Sequence, residues 1–379
     1  MARPFGVYVH FPYCTHRCPY CDFAVTTERP PEDRSYLRAV LAELSLRAPA
    51  FEGLAPVSLY LGGGTPSLWA EDELAELVAE VRARLGLPDG AEVTLEVNPE
   101  SSDPARLRAW RAAGVNRLSV GAQSFDAGVL AKLGRRHGAD AAERAIREGA
   151  EIVGNVSVDL IYGARRSTVA IARADATRAA RAGASHVSAY ALTVDAAALA
   201  EETPFVRLAR EGRLPLPGDA ETAAQGAAIR AALRRAGLRR YEISNFARPG
   251  RESVHNRLYW ASERYLGLGA GAYGCMNGPA GPLRYGNVRD ARAYLAAALA
   301  GRSPTAEEDP IDATGARNER MMLALRTRAG LPLDGLSPAQ SAEAERLRRA
   351  RLAVVRGGRL VLTARGLDVH SAVAERLME

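Results

Sequence analysis

Lysine is almost missing from this chain: Lys132 is the one lysine among 50 basic residues, and arginine supplies the rest. The arginines are scattered along helical faces, so the formal charge of +6 does not by itself announce a nucleic-acid surface. Arg135 with Arg136, Arg239 with Arg240, and Arg348 with Arg349 and Arg351 read as solvated faces, and no nucleic-acid partner is expected. Long apolar runs are absent too. None reaches the roughly eighteen residues a membrane span requires, and Arg3 and Pro4 open no hydrophobic leader. Peripheral membrane contact stays open, although nothing in the sequence asks for it. Cysteine is scarce, with four in 379 residues, yet three of them, Cys14, Cys18 and Cys21, fall within YVHFPYCTHRCPYCDF. Three clustered thiols, a remote Cys275 and no leader do not make a disulfide framework. A reducing, cytoplasmic compartment is the expectation.

What is present begins with that loop. Thiolates spaced C-x-x-x-C-x-x-C can hold three irons of a cubane iron-sulfur cluster and leave the fourth iron free for an outside ligand. The alternatives at this point are a structural zinc site completed by His10 or His16, or buried thiols packing as small apolar residues. Tyr8 precedes the loop and Tyr20 stands directly before Cys21; either ring could stack on a purine or be an ordinary interior aromatic.

With 47% hydrophobic residues the chain can fill a full core, enough for one large domain plus a small one. Six short β-branched runs, GVYVHF, VSLYLGG, EVTLEVNP, NRLSVGAQS, NVSVDLIYG and HVSAYALT, alternate with alanine-rich amphipathic stretches. Such alternation implies parallel pairing, in an open doubly wound sheet or an incomplete βα barrel, with chemistry at the carboxyl ends of the strands. Beyond the sixth run, Pro204 to Pro217 reads as a loop, residues 219 to 236 as a helix, and YEISNFARPG as a strand and turn. An alanine-rich segment then runs to about residue 300. The polar stretch GRSPTAEEDP is taken as the boundary between residues 1–300 and a domain over 301–379. That tail predicts helices near 314–328 and 338–349, an apolar hairpin around Arg-Gly-Gly, and a last helix, a winged-helix-like order suited to docking.

Polar residues gather at the strand ends. LYLGGGTPS places Gly62, Gly63 and Gly64 where backbone can approach a ligand closely, but it lacks the Gly-Lys-Ser/Thr of a P-loop and the spacing of a dinucleotide fingerprint. Glu96 with Asn98, then Gln123, Arg135 and Asp159, complete one prospective barrel mouth. Each alone could be a cap or a satisfied core pair. Together, carboxylates for hydroxyls and ammonium and arginine for a carboxylate suit a ribose and an amino acid.

The cysteine loop, Tyr20 and the GGGTP turn resemble the radical S-adenosylmethionine superfamily. GGGTPSL, GVNRLSVGAQSF, LGRRH, DLIYG, YEISNFARPG, HNRLYW and YLGLGAGAYG are similar to its branch of oxygen-independent coproporphyrinogen III oxidases and HemW-type heme chaperones, strongly over residues 5 to 290. The resemblance implies an α/β fold: an incomplete (β/α)6 TIM-like radical SAM barrel with a small C-terminal winged-helix-like α+β domain. It implies a 4Fe-4S cluster on Cys14, Cys18 and Cys21, and S-adenosylmethionine chelating the open iron. Cofactor contacts carry over to Tyr8, Tyr20, Gly63, Gly64, Thr65, Glu96, Gln123, Arg135 and Asp159, with Ala191 in SAYAL as a further position. An electron donor would drive cleavage to a 5′-deoxyadenosyl radical.

Two absences and one motif divide the branch. The oxidases carry a further cysteine two residues after the third, where this chain has Phe23, and an N-terminal extension before the loop. HNRLYW resembles an element associated with heme binding in HemW-type proteins, implying heme contacts at His255, Tyr259 and Trp260 and propionate partners such as Arg257 or Arg264. Cys275 is either a second heme thiolate or a free buried cysteine. YGARRST replaces a glycine-proline turn, GAQSF a bulkier GVQSF, SAYALTVDAAALAEETPF lacks a proline-glycine-threonine run, and GAYG stands where histidine is more usual. The expectation is a chaperone, monomeric or homodimeric, that passes heme to an acceptor protein. The alternatives are a coproporphyrinogen III oxidase, a radical methyltransferase and a heme-degrading relative.

Overall fold

The computed structural model describes residues 2–279 and 281–378. Six parallel strands form its centre: β1 (Pro4–Phe11), β2 (Ala55–Gly63), β3 (Glu92–Val97), β4 (Arg117–Gln123), β5 (Val156–Tyr162) and β6 (His186–Ala191). They lie side by side in sequence order, each joined to the next through helix on the outer face. Their side chains alternate, as strand geometry demands. Leu59, Leu61, Val93, Leu95, Leu118, Val120, Val156, Val158 and Val187 are buried in the main core with helix residues such as Leu74, Leu77 and Ile146. The other face presents Tyr60, Glu96, Ser119, Asp159 and Ser188, all of which line one cavity. This is the incomplete six-unit barrel expected.

Four short strands widen the sheet beyond β1 and two beyond β6. β7 (Arg239–Arg240) and β8 (Asn245–Ala247) are antiparallel additions next to β6, as the YEISNFARPG reading requires. On the other side, β9 (Arg264–Leu268) pairs parallel with β1, and β10 (Tyr273–Asn277), β11 (Pro282–Asn287) and β12 (Thr305–Pro310) follow as an antiparallel meander.

Two parts of the chain differ from the sequence reading. The Pro204–Pro217 stretch is not all loop: Pro204–Arg210 is a helix, with Thr203 as its N-cap and proline at its first position, where a missing N–H costs nothing. The segment running to residue 300 holds three strands before its helix Ala291–Leu299. Glycine hides them. A Cβ at Gly267 would lie 1.9 Å from the Tyr273 carbonyl oxygen, so the residue serves close strand packing rather than a loop. The supposed linker GRSPTAEEDP also supplies β12, the sheet's edge strand.

From Ala313 onward a second core forms around Leu325, Leu347, Leu360 and Leu377. Helix Ala313–Arg326, β13 (Leu331–Pro332), helix Pro338–Arg349 and the hairpin of β14 (Ala353–Arg356) and β15 (Arg359–Leu362) follow in winged-helix-like order. Gly357 and Gly358 turn the hairpin with φ of 53° and 71°. Ser337 and Gln340 close a reciprocal capping box on the second helix. No helix among the described residues is long and apolar enough to cross a membrane.

Candidate functional site at the barrel mouth

The loop after β1 is held in place by backbone. Cys14 N–H donates to the Thr26 carbonyl at 2.9 Å and Thr26 N–H to Pro12 at 2.8 Å, pinching the cysteine loop at its base. The glycine turn after β2 zips onto it: Gly64 N–H donates to Phe11 at 2.7 Å and Thr65 N–H to Tyr13 at 3.0 Å. Side chains of later elements complete the clasp, with Arg17 donating to Glu201 at 2.7 Å and Arg289 to the Asp22 carbonyl at 2.6 Å.

Cys14, Cys18 and Cys21 are all free thiols, and all three line the mouth of a cavity of about 360 Å³ running into the barrel. Burial pushes the Cys14 thiol up, opposed by the Thr65 hydroxyl, which donates to its Sγ at 3.4 Å. Burial and then the neighbouring thiolates push Cys21 up to about 11. Loading a metal centre here therefore releases protons. Among the described residues no three His, Cys, Asp or Glu side chains converge as ligands of a single ion. A cubane takes each thiolate on a separate iron and so asks for sulfurs that surround a space. His10 is held away from the thiols, bonding Tyr8 at 2.9 Å and the Ala24 carbonyl at 2.8 Å, whereas His16 Nε2 lies 3.1 Å from the Gly134 carbonyl and 3.6 Å from Cys18 Sγ.

Of the ten positions expected to touch the nucleoside cofactor, nine line this same cavity: Tyr20, Gly63, Gly64, Thr65, Glu96, Gln123, Arg135, Asp159 and Ala191. Tyr8 does not; it borders a separate cavity of about 300 Å³ with Tyr259, Tyr265 and Tyr273. Gly63 has φ of +112°, and a Cβ there would come within 2.7 Å of the His10 ring, so this turn requires glycine. The Glu96 carboxylate accepts from Tyr60 OH at 2.8 Å and Gly63 N–H at 3.1 Å. Burial, then the charge of Asp159, raises it to about 7. Asp159, also raised by burial, accepts from Ser119 at 3.1 Å. Arg135 donates to Asn98 Oδ1 at 2.7 Å and lies 3.7 Å from Cys18 Sγ, while its Nε is buried without a partner among the described residues. That orphaned donor suits an anionic group seated beside the cysteines.

Several wall residues were not singled out from sequence: Tyr60, Arg117, Ser119, Ser157, Ser188 and Asn256. For Tyr60, Arg117, Ser119 and Ser157 the signal was strand alternation, since each sits two positions from one that was recognised or from another of the set; Ser188 had no such neighbour and Asn256 lies on a helix.

The HNRLYW segment forms the helix Val254–Trp260, capped by Ser253. It does not gather its three expected heme contacts. His255 is 1% exposed, its Nδ1 bonded to Ser58 Oγ at 2.9 Å and its Nε2 to Tyr259 OH at 2.8 Å, and burial lowers its pKa to about 3. Both ring nitrogens are occupied, so the imidazole is not presented to an outside iron. Tyr259 borders the small cavity with Tyr8, whereas Trp260 lines a wide groove beneath the second domain. Cys275 is buried on β10, opposite Tyr265.

A partial barrel with three free thiols and buried carboxylates at its mouth defines a cluster-and-nucleoside protein. The family model of the radical SAM superfamily matches residues 8–170. A heme chaperone HemW of Mycobacterium tuberculosis (strain ATCC 25618 / H37Rv) is 39% identical over 385 residues, covering 100% of this chain and 95% of the relative. HemW of Bacillus subtilis (strain 168) is 33% identical over 351 residues, covering 88% and 89%. The solved coproporphyrinogen III oxidase HemN from Escherichia coli has the same fold, with a TM-score of 0.81 at 21% identity over 100% of this chain and 90% of that one. The chain belongs to the HemW-type family of the radical SAM superfamily. Membership implies a 4Fe-4S cluster and S-adenosylmethionine, and the donor set at the mouth fits both.

Proposed function

We propose that this protein is a cytoplasmic heme chaperone, carrying a 4Fe-4S cluster on Cys14, Cys18 and Cys21 and passing heme to an acceptor protein. The observation that carries the reading is similarity to HemW chains along the whole length. Phe23 supports it: 54% exposed at the cavity rim, it stands where an oxidase of this branch has a cysteine. S-adenosylmethionine would sit with its amino-acid end toward the cysteines and Arg135, and its ribose toward Glu96, Gln123 and Asp159. Gly63, Gly64, Thr65 and Ala191 would give it backbone and close packing, and Tyr20 an aromatic wall. Bound to the open iron, the cofactor supplies radical chemistry once an electron donor reduces the cluster.

The test is anaerobic reconstitution followed by hemin titration, with coproporphyrinogen III turnover assayed in parallel. Stoichiometric hemin binding with no protoporphyrinogen formed is expected. Turnover with consumption of S-adenosylmethionine and no stable hemin complex would make the protein an oxidase.

A further inference from the structure

The chain leaves β6 at Ala191 and crosses the barrel mouth before it enters the helix Pro204–Arg210. Leu192, Thr193 and Leu199 of this crossing line the same cavity as the three cysteines, so it forms one edge of the opening. Its two ends are fixed by burial. Leu192 N–H donates to the Tyr162 carbonyl at 2.8 Å, and Leu192 and Val194 pack on a small apolar cluster of Val129, Leu133, Ala164 and Phe205. At the far end Thr203 is buried, and Phe205 N–H donates to the Pro19 carbonyl at 3.0 Å.

The middle, residues 195–201, is held differently. Asp195 caps one short turn, accepting from Ala197 N–H at 3.0 Å, and among the described residues that apolar cluster takes none from this stretch. The ties run instead to the cysteine loop. Ala200 N–H donates to the Asp22 carboxylate at 3.1 Å. Glu201 accepts from Arg17 at 2.7 Å through one oxygen and from Arg289 at 2.9 Å through the other. Arg17 stands between Cys14 and Cys18, and Arg289 also donates to the Asp22 carbonyl at 2.6 Å. Glu201 therefore bridges the cysteine loop and the chain that follows β11. All three side chains are partly exposed, so the bridge is weak and salt screens it. A segment with anchored ends and a screened tie in the middle belongs to the part of a fold that opens first.

We propose that residues 195–201 are a strap over the cofactor mouth, latched by Glu201, which opens to admit S-adenosylmethionine and closes behind it. The inference rests on the cofactor assignment made above and adds the route of exchange. Leu199 is the strap's contribution to the cavity wall, so a cofactor filling that cavity touches the strap in its closed form and loses the contact when it opens. Arg17 belongs to the loop between two of the cysteines, so an ordered loop and a closed strap favour each other.

The experiment follows amide hydrogen exchange by mass spectrometry on the full-length protein. In the ligand-free protein Glu201→Gln should speed exchange over residues 195–201 about fivefold or more. Glu202→Gln removes the neighbouring charge, which pairs with Arg210 at 2.8 Å, and should leave the strap unchanged. Neither variant should alter exchange in the central strands. Raising KCl from about 0.1 M to about 1 M should speed the strap of the unaltered protein and not that of Glu201→Gln. In the reconstituted protein S-adenosylmethionine should slow the strap, and radiolabelled cofactor chased with unlabelled should leave Glu201→Gln about threefold faster or more. Strap exchange equal in the unaltered protein and Glu201→Gln overturns the latch, and equal cofactor release overturns the gate. Failure of the unaltered, reconstituted protein to retain S-adenosylmethionine overturns the cofactor reading and the gating role with it, while the exchange comparison still judges the latch.

Discussion

The amide of Gly63 donates to the carboxylate of Glu96 at 3.1 Å, so the turn that must be glycine and the acid it faces form one unit. The turn closes the cysteine loop on one side, and Glu96 reaches into the barrel on the other.

Glu96 makes the protein's stability depend on pH. Its folded pKa of about 7 is above the ordinary value of 4.5, so the native state holds a proton that the unfolded chain releases. The stabilisation is complete below about pH 4.5 and is lost as pH rises through 7, for a total of about 3.5 kcal/mol at about 1.4 kcal/mol per pH unit. Denaturant midpoints of the ligand-free protein should fall over that window, and Glu96→Gln should flatten the slope. An unchanged slope in the variant would remove Glu96 as its source.

Gly64 tests the clasp. A Cβ there would sit 2.8 Å from the Tyr13 carbonyl and 2.9 Å from that of Phe11, both backbone atoms of the strand end entering the cysteine loop. Gly64→Ala should cost about 1–3 kcal/mol and lower iron and sulfide incorporation on reconstitution. Retention of full iron content would show that the turn does not shape the loop.

Glu92 and Arg117 are a buried pair, 8% and 3% exposed, with Nε and carboxylate 3.8 Å apart. Glu92 also accepts from the backbone N–H groups of Val254 and His255, each at 3.0 Å, and so fixes the start of the HNRLYW helix. Glu92→Gln alone should cost about 3–5 kcal/mol because it leaves the Arg117 charge uncompensated. Joined to Arg117→Met it should cost clearly less, and a double-mutant cycle by urea unfolding measures the coupling. Strict additivity would deny it.

His255→Ala breaks bonds to Ser58 and Tyr259 and leaves both hydroxyls buried. It should lower stability by about 2–4 kcal/mol by urea unfolding, and hemin titration of the folded variant tests the ligand role. Loss of hemin binding by a variant shown to be folded would return the imidazole to the role of ligand.

The central strands were legible because alternation is local: every second residue of SVDLIYG or EVTLEVNP faces the helices and must be apolar. The cysteine loop and nine of ten cofactor positions meet in one cavity for the same reason, since they cluster at strand ends of a parallel array. Strands β9 to β11 were obscured because their glycines serve contacts made across strands, such as Glu307 against Gly286. The direction His255 faces was likewise beyond local pattern: it depends on Ser58, nearly two hundred residues earlier, and on Glu92. HNRLYW reads as a ligand motif in one dimension and folds as the beam beneath the barrel.

The place of β1 in the sheet has a consequence for biosynthesis. The first of the described strands lies in the interior, flanked by β2, complete at Gly63, and by β9, which begins only at Arg264. A nascent chain emerging from its N-terminus therefore carries its cysteine loop beside an unpaired strand edge until most of the sequence has been translated. Clasp residues Glu201 and Arg289 also arrive late. Until those residues are in place, the three cysteines stand without the clasp that closes round them in the folded chain.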